Sequence, residues 1–390
     1  MRYEYGAFDG QPFPTPDSLF PPPEVVQFIL HYGEQALHAL DNLDGEERDM
    51  VEAMIAAGLL ERDEQTGQLK LTPKMVRGME HRALLEIFAG LRQGNRDGHP
   101  TTDPGRSDER TEGTRPYTFG DPLSELDLNA TMRNAMHRVR STGGNGKPPL
   151  HLHADDFELF HTEGSSDCAT CVLIDMSGSM MRYGRFFQAK RVAMGLASLT
   201  RSRFPLDTID YVGFYSTACH LRPQDLPLVI PKPISTREYR VRVRVPLAQA
   251  EANPQRVPQH FTNLQLGLRY ARQVLSRRGA ANKQVFIITD GQPTAHVTSD
   301  GGQDMLQLLY PPDERTATAT LHEAVRCMQQ GIRFATFALI EDYWGMDWVS
   351  FVDQLTRLTR GTAFYCTSED LASTVIESYV SGRKRKQFVA

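Results

Sequence analysis

The sequence lacks the features that mark secreted, disulfide-stabilised and membrane-spanning proteins. Its 390 residues include only five cysteines, an odd number that does not suggest a disulfide framework. No apolar stretch approaches the length that a membrane helix needs, and residues 1–6 show no apolar signal core. We therefore expect a cytoplasmic protein with no membrane partner.

A strong charge of one sign and a phosphate-binding loop are also missing. The chain has 43 Lys and Arg residues against 48 Asp and Glu residues, a formal net charge of −5. This balance predicts no general attraction to nucleic acids or membrane surfaces. Because the chain has no Gly-Lys-Ser or Gly-Lys-Thr sequence, any ATP hydrolysis would come from another protein. We do not expect this chain to be an enzyme.

What the chain does have is a set of oxygen-bearing side chains near the ends of three predicted elements: Asp175, Ser177, Ser179, Thr262 and Asp290. The first three follow a buried strand predicted for residues 171–174. Asp290 closes a strand predicted from residue 285, and Thr262 precedes a helix. Open α/β sheets bind ligands at the carboxyl ends of their strands. Carboxylate and hydroxyl oxygens suit a hard cation, so the pattern predicts a Mg²⁺ or Mn²⁺ site.

The order and spacing Asp175-x-Ser177-x-Ser179, then Thr262, then Asp290-Gly291 resembles the metal-ion-dependent adhesion site (MIDAS) of the von Willebrand factor type A (VWA) domain. All five positions match. The resemblance implies that the two serines, and sometimes the threonine, touch the ion directly, while the two aspartates act mainly through water. It also implies that an acidic side chain of a protein partner fills the remaining coordination position. The ion would then bridge two proteins.

Four further segments are similar to a bacterial subgroup described as magnesium-chelatase D-like or CoxE-like: residues 117–122, 156–160, 292–296 and 310–312. This resemblance implies a MoxR-type AAA+ ATPase as partner. It also implies a role in complex remodelling, protein maturation or metal insertion.

Strands and helices alternate over residues 166–381, which predicts an α/β domain with a doubly wound, mostly parallel sheet. We place an insertion within this domain at about residues 222–260. Residues 116–165 read as a connecting helix and strand that pack on it. Residues 93–115 are rich in Gly, Pro and charged residues and predict a flexible linker. Residues 382–390 form a basic tail.

Residues 1–92 predict a small, mainly helical N-terminal domain. Within it, residues 60–72 read as a hairpin, and a helix begins at Pro73, so the order helix, hairpin, helix suggests a winged-helix-like module. Such modules often bind DNA. However, this segment has 8 Lys and Arg against 16 Asp and Glu, a charge of 8 − 16 = −8, which repels phosphates. A supporting or docking role is favoured, and a DNA-binding regulator is the alternative.

Three arginines alternate with valines just before the Thr262 segment: Arg240, Arg242 and Arg244. In an extended chain they line one face. One interpretation places them on the rim of the metal site, where a basic face would steer an acidic partner. The other is an edge strand that charge protects from aggregation.

Some residues suggest other chemistry but have simpler explanations. His296 is the one obvious base near the motifs, so a Mg²⁺-dependent hydrolase is an alternative function, although a local hydrogen-bonding role is favoured. Cys168 and Cys171 form Cys-x-x-Cys, but they lead into a strand, and we expect buried thiols. His151 and His153 could belong to a second metal site, although a solvated strand face is favoured.

Overall fold

The structure is a computed structural model that describes residues 22–93, 109–117, 126–141, 152–163, 167–235, 238, 240–340 and 346–384. The chain divides into two compact units. The first unit combines residues 1–95 with residues 168–390, and the second consists of residues 96–167.

The described helices are α1 (Pro23–Tyr32), α2 (Glu34–Asp41), α3 (Glu46–Ala56), α4 (Pro73–Gln93), α5 (Leu128–Ser141), α6 (Arg185–Arg203), α7 (Leu247–Ala252), α8 (Leu264–Ser276), α9 (Glu314–Gln329), α10 (Met346–Thr359) and α11 (Leu371–Lys384). The described strands are β1 (Leu60–Arg62), β2 (Leu69–Leu71), β3 (Glu109–Pro116), β4 (Glu158–Glu163), β5 (Cys168–Asp175), β6 (Thr208–Phe214), β7 (Ala218–Leu221), β8 (Val241–Pro246), β9 (Asn282–Thr289), β10 (Ala295–Asp300), β11 (Gln303–Tyr310), β12 (Ile332–Leu339) and β13 (Thr362–Cys366).

The largest sheet has six strands in the order β13-β12-β9-β5-β6-β7. Its first five strands are parallel, and β7 runs antiparallel at one edge. Every residue of the central strand β5 is buried, as expected for a parallel strand that is covered on both faces. The predicted α/β fold with a mostly parallel sheet is confirmed.

Two hydrophobic cores cover the two faces of this sheet. Because side chains alternate along a strand, Val172 and Ile174 of β5 face one core, while Cys171 and Leu173 face the other. Helices α6 and α11 supply the first core, and helices α8, α9 and α10 supply the second. This arrangement leaves the carboxyl ends of the strands as the place where polar side chains can meet.

The described N-terminal helices belong to the same compact unit as the sheet, and the division of residues 1–92 into a domain of their own stays a prediction. The local order was predicted correctly, since β1 pairs with β2 and α4 begins at Pro73. The apolar face of α4 packs on α6, where a Cβ atom added at Gly195 would lie 2.7 Å from Ile87 Cδ1. The glycine allows this close approach of the two helices.

A second, three-stranded antiparallel sheet has the order β10-β11-β8. Strands β10 and β11 form a hairpin that the sequence analysis missed. Gly301 and Gly302 occupy its turn with φ of 56° and 83°, the left-handed conformations that a two-residue hairpin turn requires. Strand β8 comes from the segment predicted as an insertion and pairs with β11.

In the second unit, β3 pairs antiparallel with β4. Residues 109–115 are therefore part of a strand, and the predicted linker over residues 93–115 does not extend through them. The sequence of β3 is polar and has no apolar alternation, so its extended form depends on pairing with a distant segment. Arg138 donates to both carboxylate oxygens of Asp156, at 2.9 and 2.8 Å. Asp156 thus has a structural role. His151, a candidate for the second metal site, lies outside the described residues, so that site stays a prediction.

Several smaller expectations have definite outcomes. All five cysteines are free thiols, and four of them, including Cys168 and Cys171, are buried. None of the described helices combines the length and the apolar character needed to cross a bilayer. Of the predicted basic tail, residues 382–384 belong to the last turn of α11, and residues 385–390 lie outside the described part of the chain.

Candidate metal site

Asp175 is the last residue of β5, and both of its carboxylate oxygens have hydrogen-bond donors. Oδ1 accepts from the Ser177 amide at 2.8 Å, and Oδ2 accepts from the Thr289 hydroxyl at 2.5 Å. Thr289 ends β9, the parallel neighbour of β5. Because parallel neighbours finish at the same sheet edge, this register brings the two polar strand ends into direct contact.

The two serine hydroxyls predicted for the site lie together. Ser177 Oγ is 3.1 Å from Ser179 Oγ, and Ser179 Oγ donates to Asp290 Oδ1 at 2.7 Å. Gly178 separates the serines, and a Cβ atom added there would lie 2.6 Å from Ile234 Cγ1. The glycine between the two serines thus allows the close approach of the Ile234 side chain. Four of the five predicted residues are connected by these contacts.

Thr262, the fifth predicted residue, lies in a loop next to residues 177–179, which we call the serine turn. The Gly178 amide donates to the His260 carbonyl at 3.0 Å. Thr262 is buried, and its amide donates to Thr294 Oγ1 at 2.9 Å. Its carbonyl accepts from the Thr294 and Ala295 amides at 2.9 and 3.1 Å. Backbone hydrogen bonds therefore hold Thr262 beside the serine turn. Thr262 lies two residues after His260, whose carbonyl accepts the hydrogen bond from Gly178.

Arg185 is a member of the site that the sequence analysis missed. It is the first residue of α6, and its Nη1 donates to Asp290 Oδ2 at 2.6 Å. The side chains of Arg185 and Asp290 are only 7% and 0% exposed. The sequence carried no signal for this contact, because an arginine after the motif has no characteristic spacing from a strand end that lies 105 residues away.

Two carboxylates and one guanidinium dominate the electrostatics. Burial raises the pKa of the Asp175 carboxyl above its usual range, and the neighbouring Asp290 carboxylate adds to this effect. The hydrogen bonds from Thr289 and Ser177 act in the opposite direction. With both carboxylates ionised, the formal charge of the cluster is −2 + 1 = −1, which favours an additional cation.

The donor set fits a hard divalent cation. It offers the carboxylate and hydroxyl oxygens that Mg²⁺ and Mn²⁺ prefer, and no thiolate or imidazole. Among the residues that the structure describes, no group of three or more His, Cys, Asp or Glu side chains could hold a metal ion. An ion at this strand edge would therefore depend on the hydroxyls of Ser177, Ser179 and Thr262 as well as on the two aspartates.

A family model described as "Rv0959-like protein, vWA domain" matches residues 168–380, which is more than half of the chain. The chain belongs to the Rv0959-like vWA family. A second model, "Rv0959-like protein, third domain", matches residues 109–162, a range that lies within the second compact unit.

Relatives of this Rv0959-like protein include uncharacterized proteins of Mycobacterium tuberculosis (Rv0959) and Mycobacterium bovis (Mb0984). Each is 27% identical over 340 residues, which are 86% of this chain and 45% of the relative. The chain thus spans less than half the length of the curated relatives that it matches.

Solved structures similar to this Rv0959-like protein include the vWF domain of the type V pili tip protein Mfa5 from Porphyromonas gingivalis. That likeness has 13% identity, covers 57% of this chain and 98% of that chain, and has a TM-score of 0.37. The PilB minor pilin from Streptococcus sanguinis is 16% identical, with 61% and 66% coverage and a TM-score of 0.39. A mussel byssus protein, PTMP1 with a zinc-occupied MIDAS motif, is 12% identical, with 54% and 46% coverage and a TM-score of 0.34. At these scores the likeness is distant.

In the vWA domain of this chain, the predicted arginine face forms at β8. Arg240, Arg242 and Arg244 are exposed, while Val241 is buried. Arg244 pairs with Asp300. Because β8 is at one end of the order β10-β11-β8, its description as an edge strand is correct. Its role in partner binding stays a prediction.

The start of β8 is the end nearer to the candidate metal site. Arg242 lies opposite Leu309, whose amide donates to the Thr294 carbonyl at 2.8 Å. Neighbouring strands are about 4.8 Å apart, so the Arg242 backbone is about 10 Å from Thr294, the residue that holds Thr262.

His296, the candidate base, is buried in β10. Its Nδ1 is 3.1 Å from the hydroxyl of Thr316 in α9, and burial lowers its pKa. A buried histidine with a side-chain partner has a structural explanation, in agreement with the favoured interpretation of this residue as a local hydrogen-bonding group.

Proposed function

We propose that this chain is a divalent-cation-dependent protein-binding module. vWA domains typically mediate metal-dependent protein interactions, and the proposal assigns that role to the strand edge built by Asp175, Ser177, Ser179, Thr262 and Asp290. One observation supports it above all others. The side chains of two strand ends and the intervening turn form a continuous hydrogen-bonded cluster from Thr289 through Asp175 and the serine turn to Asp290.

The residues of the chain have separate tasks in this proposal. Ser177, Ser179 and Thr262 would offer hydroxyl oxygens to Mg²⁺ or Mn²⁺, and Asp175 and Asp290 would supply the negative charge that holds it. When bound, the ion would supply an electrophilic position for a carboxylate of the partner. Hydrogen bonds to Asp175 and the Arg185 contact of Asp290 hold both carboxylates in place before an ion arrives. Such preorganisation lowers the conformational cost of binding.

Protein binding explains these residues better than the alternatives do. A hydrolase needs a positioned base or nucleophile, and the base predicted from the sequence, His296, is buried and bonded to Thr316. A DNA-binding regulator would need an exposed basic helix. The charge of residues 1–92 is instead −8, and the apolar face of α4 packs on α6. We therefore propose that the chain is not an enzyme and does not bind nucleic acid.

A MoxR-type AAA+ ATPase is the proposed partner class. Support comes from the resemblance of residues 117–122, 156–160, 292–296 and 310–312 to CoxE-like proteins. Such a motor would supply the ATP hydrolysis for complex remodelling, protein maturation or metal insertion. The exposed arginines at the start of β8, Arg240 and Arg242, would attract an acidic segment of the partner toward the metal. Cytoplasmic residence stays a prediction.

Calorimetric titration with Mn²⁺ or Mg²⁺ tests the metal site directly. We expect saturable binding of one ion by the wild-type chain and loss of binding in Asp175→Ala and Ser177→Ala. Ser276→Ala is the matched control, because Ser276 is an exposed serine at the far end of α8. Absence of binding by the wild type, or unchanged binding by Asp175→Ala, would refute the proposed site.

A pull-down tests the partner class. The tagged chain is incubated with a purified MoxR-type ATPase from the same organism, with Mg²⁺ or with a chelator. We expect capture that requires Mg²⁺ and disappears in Asp175→Ala. Capture that persists in both the chelator and the variant would mean that the ATPase is held elsewhere on the chain.

A further inference from the structure

The two carboxylate oxygens of Asp290 have different partners. Oδ1 accepts from the Ser179 hydroxyl at 2.7 Å and so belongs to the cluster of proposed metal donors. Oδ2 accepts from Arg185 Nη1 at 2.6 Å. Both side chains of this ion pair are almost completely buried, so water screens the guanidinium charge weakly.

The position of Arg185 is unfavourable for a cation in local terms. It is the first residue of α6, and the amino end of a helix carries a partial positive charge that repels cations. The preceding residues, Tyr183 and Gly184, have left-handed φ of 54° and 66°. The Tyr183 ring centroid is 5.0 Å from Arg185 Cζ. The turn therefore holds the guanidinium between an aromatic ring and a carboxylate, against the preference of the helix end.

Charge counting shows what this arginine changes. Asp175 and Asp290 alone contribute −2, so a bound divalent cation would leave the centre neutral. With Arg185 the sum before metal binding is −2 + 1 = −1, and with the cation it is −1 + 2 = +1. A buried centre with a net positive charge binds the cation less tightly and attracts an external carboxylate more strongly than a neutral centre does.

We infer that Arg185 is a specificity-determining residue of the site, which weakens binding of the divalent cation and strengthens binding of an anionic carboxylate ligand at the bound cation. The inference rests on the proposed function. It accounts for a positive charge that is buried at the amino end of a helix, where the helix itself disfavours a cation.

Mn²⁺ alone is the first probe, with free Mn²⁺ measured by electron paramagnetic resonance. Arg185→Gln keeps a polar side chain and removes the charge. Its Mn²⁺ affinity is expected to rise by at least about tenfold, because a unit charge inside a protein acts strongly on a nearby divalent ion. Arg185→Lys keeps the charge, and its affinity should stay within about threefold of the wild type.

Arg203→Gln is the matched control. Arg203 is the exposed last residue of the same helix. At about 1.5 Å per residue it lies about 27 Å from Arg185, which exceeds the screening length of about 8 Å at physiological salt. Loss of this charge should leave the Mn²⁺ affinity unchanged. Circular dichroism of each variant establishes that the fold is retained.

Acetate is the second probe, as the simplest carboxylate. It is titrated into Mn²⁺-loaded protein while water proton relaxation follows displacement of Mn²⁺-bound water. Arg185→Gln should bind acetate at least about threefold more weakly than the wild type, because its loaded centre is neutral. The Arg203→Gln control should match the wild type.

The outcomes separate this inference from the proposed function. If the wild type binds Mn²⁺ and Arg185→Gln binds it equally or less tightly, the role of Arg185 is refuted while the metal site stands. The same holds if Arg185→Lys, with its charge intact, shows a tenfold gain. Binding by Arg185→Gln but not by the wild type would refute the proposed function, because the natural site would then not hold the ion. If neither chain binds Mn²⁺, the proposed function fails, and the inference fails with it.

Discussion

Replacement of Lys190 by methionine is expected to remove a pH dependence from the unfolding free energy. Lys190 lies on α6 and is completely buried. Its ammonium donates to the Pro227 and Val229 carbonyls, both at 3.0 Å, and lies 5.5 Å from the Phe186 ring centroid. Burial lowers the pKa of this side chain from 10.5 to about 7, because a charged ammonium is costly in an apolar environment.

The sign and size of the effect follow from proton linkage. Between about pH 7 and 8.5 the unfolded lysine stays protonated while the folded one loses its proton. The unfolded state then binds more protons, so the unfolding free energy rises with pH. A shift from 10.5 to about 7 gives a rise on the order of 1.5 kcal/mol across this window. Above about pH 8.5 the cysteine thiols of the unfolded chain begin to ionise and oppose the trend.

Urea unfolding at several pH values measures this contribution. The wild type should gain stability from pH 7 to 8.5, and Lys190→Met should lose the corresponding slope. The absolute stability of the variant also depends on the two carbonyls left without their donor, so the slope is the decisive quantity. Lys74→Met is the control, because the Lys74 ammonium also bonds a carbonyl, of Ala57 at 2.8 Å, but is exposed. Parallel curves for wild type and Lys190→Met would refute the assignment.

Two further predictions concern packing and turn geometry. Ile87→Ala removes a buried side chain that lies beside Gly195, and chemical denaturation should show a loss of about 2–5 kcal/mol. The control Leu85→Ala alters a side chain that is 52% exposed and should cost no more than about 0.5 kcal/mol. Gly302→Val places a β-branched residue at a φ of 83°, and we expect a loss of about 1–3 kcal/mol together with faster amide exchange in β10 and β11. Gly279→Val, at an open position without a left-handed φ, should have little effect, and equal losses in both glycine variants would contradict the argument.

The parts of the fold that local pattern determines were predictable from sequence. The α/β alternation predicted for residues 166–381 is one such part, because near-continuous apolar runs such as β12 (Ile332–Leu339) are typical of buried parallel strands. Strand β3 was missed because its residues are polar and only its partner β4 makes it a strand. The hairpin of β10 and β11 was predictable in principle, because Gly301-Gly302 between two extended segments is a turn signal.

The candidate site also contains residues that could be predicted from the sequence and one that could not. Asp175, Ser177, Ser179 and Asp290 follow strands whose parallel pairing the alternating pattern predicts, so their meeting at one sheet edge could be inferred before any coordinates. Arg185 could not be inferred. Its contact with Asp290 depends on how the turn before α6 folds back toward β9, and no periodicity or spacing in the sequence encodes that path.

Helix α6 explains why the N-terminal helix α4 packs against the unit that contains the sheet. A helix that is apolar around most of its circumference must be covered on all sides, and α6 is buried at the face that packs on the sheet and also at Gly195, where Ile87 of α4 meets it. Sequence periodicity shows that both α4 and α6 have apolar faces. It does not show that these two apolar faces pack against each other.

This arrangement raises the question of whether the N-terminal helices also control the metal site, and Ile87→Ala answers it. Gly195 lies ten residues from Arg185 along α6, about 15 Å at 1.5 Å per residue. Arg185 has its own contacts with Asp290 and Tyr183. Distant sites without shared partners act independently, so the Mn²⁺ affinity of Ile87→Ala should stay within about twofold of the wild type despite the loss of stability. A larger change in a folded variant would mean that α4 positions the turn that carries the metal donors, since α6 is the element that joins them.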